Sequence, residues 1–270
     1  MSKFHRIHLF EFEDFQWFPN FLRKCLTRYI VAMHRLLDTK SVLTSLVQKG
    51  LKYTSNNEIV DMCSGSGGPM IDVYTELIDQ DTYKNTSLTL TDLYPNRETA
   101  NDLNNNDSSQ IRYIEKPVDA TNIGNKYPGL RTMICSMHHM EPDIAKNILS
   151  SAKNDQEPIL IYEISDNSIP LWIAWIAFPI NVISVFIITP LVRPMSWQQI
   201  VFTYLIPVLP FFIAWDGAVS NVRTYTFKDL DLLTKDLSDE SYVWEKGAIK
   251  GKGGKKLYLL GKPVNVNTHT

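Results

Sequence analysis

From Asn167 to Trp215 the chain carries a single formal charge, Arg193. The stretch divides into NSIPLWIAWIAFPINVISVFIITPLV, 26 uncharged residues, and PMSWQQIVFTYLIPVLPFFIAW, 22 uncharged residues. About 20 apolar residues in a row suffice for a membrane-spanning helix. Strand-like runs flank it: PILIYE (158–163) before, YVWEKGAI (242–249) and KKLYLLGKPV (255–264) after. Flanks that share one sheet must lie on one side of any membrane. Two crossings satisfy that condition and one does not, so a helical hairpin turning at RPMS is the expected form. Pro179, Pro190, Pro207 and Pro210 kink or end helices inside it, and Asn181 needs a polar partner. Trp172, Trp175, Trp197, Tyr204 and Trp215 sit near its ends or its turn, as interfacial anchors do. A shallow interfacial insertion and a soluble apolar cap over a site are the alternatives. A soluble chain exposing so much apolar surface risks aggregation, so membrane contact is expected.

The rest of the 270 residues is polar enough to fold as a globular α/β unit. Net charge is −2, which gives no basic field for nucleic acid. Cys25, Cys63 and Cys135 are odd in number and far apart, and no CxxC occurs. That excludes a disulfide framework and a cysteine zinc cage, and no metal site is expected. Glu11, Glu13 and Asp14 interrupt the N-terminus where a signal peptide needs an unbroken apolar core.

Apolar residues recur at three and four from 15 to 50, predicting one or two helices. Then the period changes. EIVDM (58–62), SLTLTD (87–92), IRYIE (111–115), RTMICS (131–136) and PILIYE are short, β-rich runs. Helix-length segments at 69–80, 95–105 and 141–153 separate them. Such alternation predicts βαβ units and a mostly parallel sheet covered on both faces. A helix is expected near 226–237, and KGKGG joins the last two runs as a hairpin.

The first strand runs into VDMCSGSGGP (60–69). Glycines between a strand and a helix let a ligand approach the backbone closely, and Pro69 favours the first helical turn. GxGxxG is not met, because Gly65, Gly67 and Gly68 are followed by Pro69 and Met70. That counts against a nicotinamide-dependent oxidoreductase. No P-loop pattern occurs either.

These residues resemble the class I S-adenosylmethionine-dependent methyltransferases. Their first motif is an acid ending strand 1, followed by glycines at alternate positions. Asp61, Gly65 and Gly67 match it, while Cys63 stands where the first glycine is usual. LTLTDLYP places Asp92 at the end of strand 2, where the family's acid grips the ribose hydroxyls. EKPVDATN places Asp119, Ala120 and Thr121 after strand 3, near the adenine position. MICSMHHM supplies Ser136, His138 and His139 at the mouth of strand 4, where donor and acceptor meet. A tail with DG, S and RTYT (223–226) and two final strands extends the similarity to about residue 262. A bacterial, membrane-associated subgroup of unknown substrate has segments like CSGSGGP, LTDLYPN and RTYT.

The resemblance implies a Rossmann-like, seven-stranded fold with an antiparallel final pair. Residues 1–50 would form a helical cap. Residues 51–165 and 216–264 would form the methyltransferase-like domain, and 166–215 the hydrophobic insert. It implies S-adenosyl-L-methionine held by Asp61, Cys63, Gly65, Gly67, Gly68, Asp92, Asp119, Ala120 and Ser136. His138 or His139 would deprotonate a small acceptor, a task suited to a neutral imidazole. With the insert in a bilayer the acceptor is expected to be lipophilic and the catalytic domain cytoplasmic. The chain lacks the [DNS]PP[YFW] pattern of nucleic-acid N-methylation. A non-catalytic, membrane-bound scaffold of the same fold is the rival reading.

Overall fold

A computed structural model describes residues 4–54, 56–105, 110–168 and 170–264. The predicted runs form β1 (Glu58–Met62), β2 (Ser87–Thr91), β3 (Ile111–Tyr113), β4 (Leu130–Ile134), β5 (Ile159–Glu163), β6 (Tyr242–Gly251) and β7 (Gly254–Pro263). They build one seven-stranded sheet in the order β3-β2-β1-β4-β5-β7-β6. β1 to β5 pair in parallel, whereas β7 lies antiparallel between β5 and β6. The sheet is therefore mixed rather than mostly parallel. The physical reason is the tight turn after Gly251: Gly253 and Gly254 take positive φ and return the chain beside its own strand. Seven strands and an antiparallel final pair are consistent with the Rossmann-like fold that the resemblance implied.

Nine α-helices accompany the sheet among the described residues: α1 (Asn20–Leu36), α2 (Thr39–Leu51), α3 (Met70–Ile78), α4 (Arg97–Asn104), α5 (Pro142–Asn154), α6 (Leu171–Ile188), α7 (Trp197–Ile200), α8 (Leu209–Arg223) and α9 (Phe227–Thr234). β5 shows why both sheet faces are covered. Its five residues are all buried, with Leu160 and Tyr162 in one core and Ile159 and Ile161 in the other. α2, α3 and α4 pack on the first face, α5 and α9 on the second. Each such side chain contributes about 1.5–3 kcal/mol by leaving water.

The hydrophobic insert departs from two straight crossings. Among the described residues no single helix is long and apolar enough to cross a membrane. α7 runs on into a π-helical turn, Val201–Leu205, and that unit and α8 satisfy the length and composition together, bent by 90°. Pro207 lies in the break and Pro210 in the first turn of α8, where a missing N–H is tolerated. α6 contains Pro179 and ends before Pro190. The insert shares its core with the N-terminal helix. Tyr29 and Ala32 of α1 pack with Val185 of α6 and with Val192, and Phe18, Leu22, Cys25 and Leu26 pack with Leu209 of α8. The opposite face of α6 is bare: Trp172, Ile176, Ile180, Ile183 and Ile187 are each more than half exposed. The side chain of Trp175 lies outside the described residues.

Candidate functional site

In an open parallel sheet, ligands bind beyond the carboxyl ends of the strands, where the strand order reverses. Here β1 lies between β2 and β4, so the reversal falls between β1 and β4. The loops after these two strands, 63–69 and 135–141, carry the glycines and the histidine pair.

The first loop is built from backbone. Cys63, Gly65, Gly67 and Gly68 all have φ between 44° and 86°. A Cβ at Gly65 or Gly68 would meet nothing within 4 Å, so the loop leaves open space on that side, a cradle for a ligand. Asp61, buried at the end of β1, accepts a 2.6 Å hydrogen bond from Thr132 Oγ1. Burial, against bonds from Thr132 and Ser64 and with the charge of Asp92 adding, pushes its carboxyl up to about 7. Asp92 accepts from the Gly65 N–H (2.8 Å) and from the Tyr94 N–H (2.8 Å), tying β2 to the glycine turn. Tyr113 of β3 closes the other side by donating to the Gly65 carbonyl, 2.8 Å. Asp119 caps its own turn through Thr121 N and Oγ1. Its charge nonetheless reaches Cys63, whose thiol is raised to about 12 by burial and then by Asp92, Asp61 and Asp119. Two of the expected acids, Asp61 and Asp92, thus meet on one loop, and Asp119 acts on it through its charge alone. Ala120 packs in the core beneath, and the Ser136 Oγ is buried without a partner at the end of β4. The orphaned hydroxyl, the cradle and the carboxylates fit a ligand with hydroxyl and amino groups.

The second loop is built from side chains. It borders a cavity of about 320 Å³. The walls are Leu26, Tyr29, Ile30 and Met33 of α1, Val185 of α6 and Ile213 of α8; Cys135, His138, His139 and Glu163 close its floor. Glu163, ending β5, holds His138 twice, through its backbone N–H (3.1 Å) and its Nδ1 (2.8 Å). Burial lowers the His138 pKa despite Glu163, leaving a neutral ring with its Nε2 lone pair free. Nε2 lies 3.9 Å from Glu11 Oε1. His139 binds Asp14 through Nδ1 at 2.9 Å and turns Nε2 toward Glu11 Oε2, 3.9 Å away, and Glu13, 3.7 Å away. Burial pulls His139 down, but the Asp14 bond and the charges of Glu11, Glu13 and Asp14 prevail and raise it to about 9. Glu11 is raised to about 8 by burial, against His139 and Arg223.

Two arginines lock this turn. Arg223 donates to the carbonyls of His138 and His139, each at 3.2 Å, and to Asp14 Oδ2 at 2.6 Å. Arg6 donates to the carbonyls of His138 (2.6 Å) and Met140. The RTYT stretch is thereby explained: Arg223 clamps, Tyr225 donates to the Met140 carbonyl at 2.8 Å, and Thr226 caps α9 with Asp229. Asp229 also receives the N–H groups of His5 and Arg6, and Asp216 that of Phe12, so the N-terminal strap is pinned across the cavity. Glu11, Asp14, Asp216 and Arg223 are absent from the expected site residues, whereas Glu163, which the sequence left open between the acceptor pocket and the next turn, faces the pocket. The acidic run at 11–14 was the sequence signal for Glu11 and Asp14, though it served only to argue against a signal peptide.

No family model and no curated protein matches the sequence. Solved structures do. PigF with SAH is 13% identical, over 76% of this chain and 50% of its own, at a TM-score of 0.44. The O-methyltransferase NcsB1 from neocarzinostatin biosynthesis, in complex with S-adenosylmethionine and 2-hydroxy-5-methyl naphthoic acid, is 11% identical over 84% and 57%, at 0.44. Magnesium protoporphyrin IX methyltransferase (ChlM) from Synechocystis PCC 6803 with bound SAH is 12% identical over 90% and 87%, at 0.47. Many of the similar structures are S-adenosylmethionine-dependent methyltransferases. The chain spans about half the length of the first two of these three. Likeness at this level fixes no reaction or substrate for this chain.

Proposed function

We propose that the protein transfers a methyl group from S-adenosylmethionine to a heteroatom of a small, lipophilic acceptor. The observation that carries this reading is the meeting of two unlike sites at the reversal between β1 and β4. One is a glycine cradle ringed by Asp61, Asp92 and Asp119. The other is an apolar cavity ending at His138. Methyl transfer from a sulfonium is an in-line displacement, so positioning supplies much of the catalysis. Asp92 would accept from the ribose hydroxyls, the stronger bond being the one to an ionised acceptor. Gly65, Gly67 and Gly68, with Asp61 and Cys63, would hold the amino-acid end. Asp119 and Ala120 would border the adenine, and Ser136 would offer its free hydroxyl. His138 presents a neutral Nε2 to the acceptor's nucleophilic atom, with His139 beside it.

The walls of Leu26, Ile30, Met33, Val185 and Ile213 support a lipophilic acceptor. The bare stripe on α6 supports attachment to a membrane face, with the sheet domain on the cytoplasmic side. Isothermal titration with S-adenosylmethionine and SAH tests the donor site. Saturable binding lost in Asp92→Ala supports the reading. Its absence in a folded sample would leave a non-catalytic scaffold.

A further inference from the structure

Both histidines hold their Nδ1 atoms on carboxylates, His138 on Glu163 at 2.8 Å and His139 on Asp14 at 2.9 Å. Both therefore present Nε2 to Glu11, at 3.9 Å each. Tying Nδ1 to a carboxylate fixes the tautomer and raises the basicity of Nε2, as outer carboxylates do for metal-ligating imidazoles. The ligand atoms of Glu11, His138 and His139 all lie within 4.8 Å of one another. Glu11 is 1% exposed, and its Oε1 has no hydrogen bond, although Arg223 Nη1 lies 3.1 Å away.

We propose that Glu11, His138 and His139 form a binding site for a divalent transition metal ion. Two imidazoles and one carboxylate are a known donor set for zinc and for ferrous iron, and they leave coordination positions open. Ligands about 2.1 Å from a tetrahedral ion stand about 3.4 Å apart. The observed spacings, 3.9 Å from each Nε2 to one or the other Glu11 oxygen and none above 4.8 Å, exceed that by no more than about 1.4 Å. Charge agrees. A bound cation favours an ionised Glu11 and a neutral His139; in that state Glu11, Glu13, Asp14 and Glu163 stand against Arg6 and Arg223, a surplus of two negative charges that the ion offsets. The open side faces the apolar cavity.

The role of the metal rests on the proposed methyl transfer, but its presence does not. With the ion bound, His138 Nε2 is a ligand and no longer a base; an acceptor oxygen on the ion would instead have its pKa lowered by the metal. The proton goes to solvent, the O–CH3 bond forms as the S–CH3 bond breaks, and SAH leaves neutral. Across the reaction one proton is released.

The test uses the full chain, stripped with chelator and dialysed, with no donor or acceptor present. Titration with Co²⁺ is expected to give visible d–d absorption that saturates at one equivalent, and Zn²⁺ to displace it. Glu11→Gln and His139→Gln should each lose the absorption. Asp14→Asn, one shell out, should weaken Co²⁺ binding by about 10–100-fold. Circular dichroism and SAH binding report whether each variant is folded. A folded chain that binds SAH but gives no Co²⁺ absorption and no saturable Zn²⁺ binding overturns the metal site. So does binding that survives in both Glu11→Gln and His139→Gln. Metal binding by a chain that never binds SAH upholds the site and removes the methyl-transfer reading.

Discussion

The two halves of the site hold their shape by different means. The donor half is a backbone object: left-handed residues at Cys63, Gly65, Gly67 and Gly68, pinned by Asp92 and Tyr113. The acceptor half is a charge object: Glu11, Asp14, His138, His139, Glu163 and Arg223, drawn from four separate segments and largely buried. A backbone object tolerates loss of a side chain while losing its ligand. A buried charge cluster fails as a unit, because each removed partner leaves another ion without compensation.

Arg223→Ala is the hardest break. Arg223 is 2% exposed, and its loss strands Glu11 and Asp14 and frees the carbonyls of His138 and His139. The expected cost is about 3–5 kcal/mol, the usual penalty for breaking a buried pair, read as a fall in the urea midpoint. Arg223→Lys should recover only part of it, since a point charge cannot reach three acceptors in a fork.

Asp92→Ala sharpens the contrast from the other side. Two hydroxyl bonds to an ionised carboxylate are worth about 3 kcal/mol together, so SAH affinity should fall roughly 100-fold in calorimetry. The urea midpoint should move far less than in Arg223→Ala. Asp92 is only partly buried, and its partners, the N–H groups of Gly65 and Tyr94, are exposed and can turn to water.

The same contrast explains what was legible in the sequence. Strand ends, the glycine loop and Asp92 are local patterns. A run of apolar residues followed by glycine needs no distant partner to be recognised. β1 occupies the residues expected of it, Glu58–Met62. Glu11 and Arg223 were not legible as partners, since 212 positions separate them and no periodicity relates a strap to a helix end. Glu163 stood at the end of an expected strand, yet only folding shows it holding His138. The insert was only half legible for a related reason. Composition registers apolarity, but it cannot tell whether α1 or lipid covers the faces. α1 covers one of them.

The uncovered face of α6 gives the next test. Ile180 is 65% exposed in the middle of the bare stripe. Ile180→Asp should remove about 2 kcal/mol of apolar transfer from any membrane contact. That predicts roughly a 30-fold weaker partition into phospholipid vesicles by flotation, with SAH binding intact. Equal partition of both proteins would take α6 out of the membrane reading.

The smallest expected effect concerns Asp61, where the backbone half contains one buried charge of its own. Its carboxyl is raised to about 7, mainly by burial. A raised folded pKa means that the free protein loses stability as pH climbs from the unfolded carboxylate range, near 4, through about 7. A donor carrying an ammonium prefers the ionised form, so it offsets that cost and binds better once Asp61 has lost its proton. SAH affinity should therefore rise about tenfold between pH 6 and pH 8, and level off above. His139, at about 9, and Glu11, at about 8, titrate in the other half, so Asp61→Asn tells the sources apart. A profile that flattens in Asp61→Asn places the proton in the donor loop. A profile that keeps its slope in that variant would mean that the two halves are coupled, with the charge cluster governing donor binding across the end of β4.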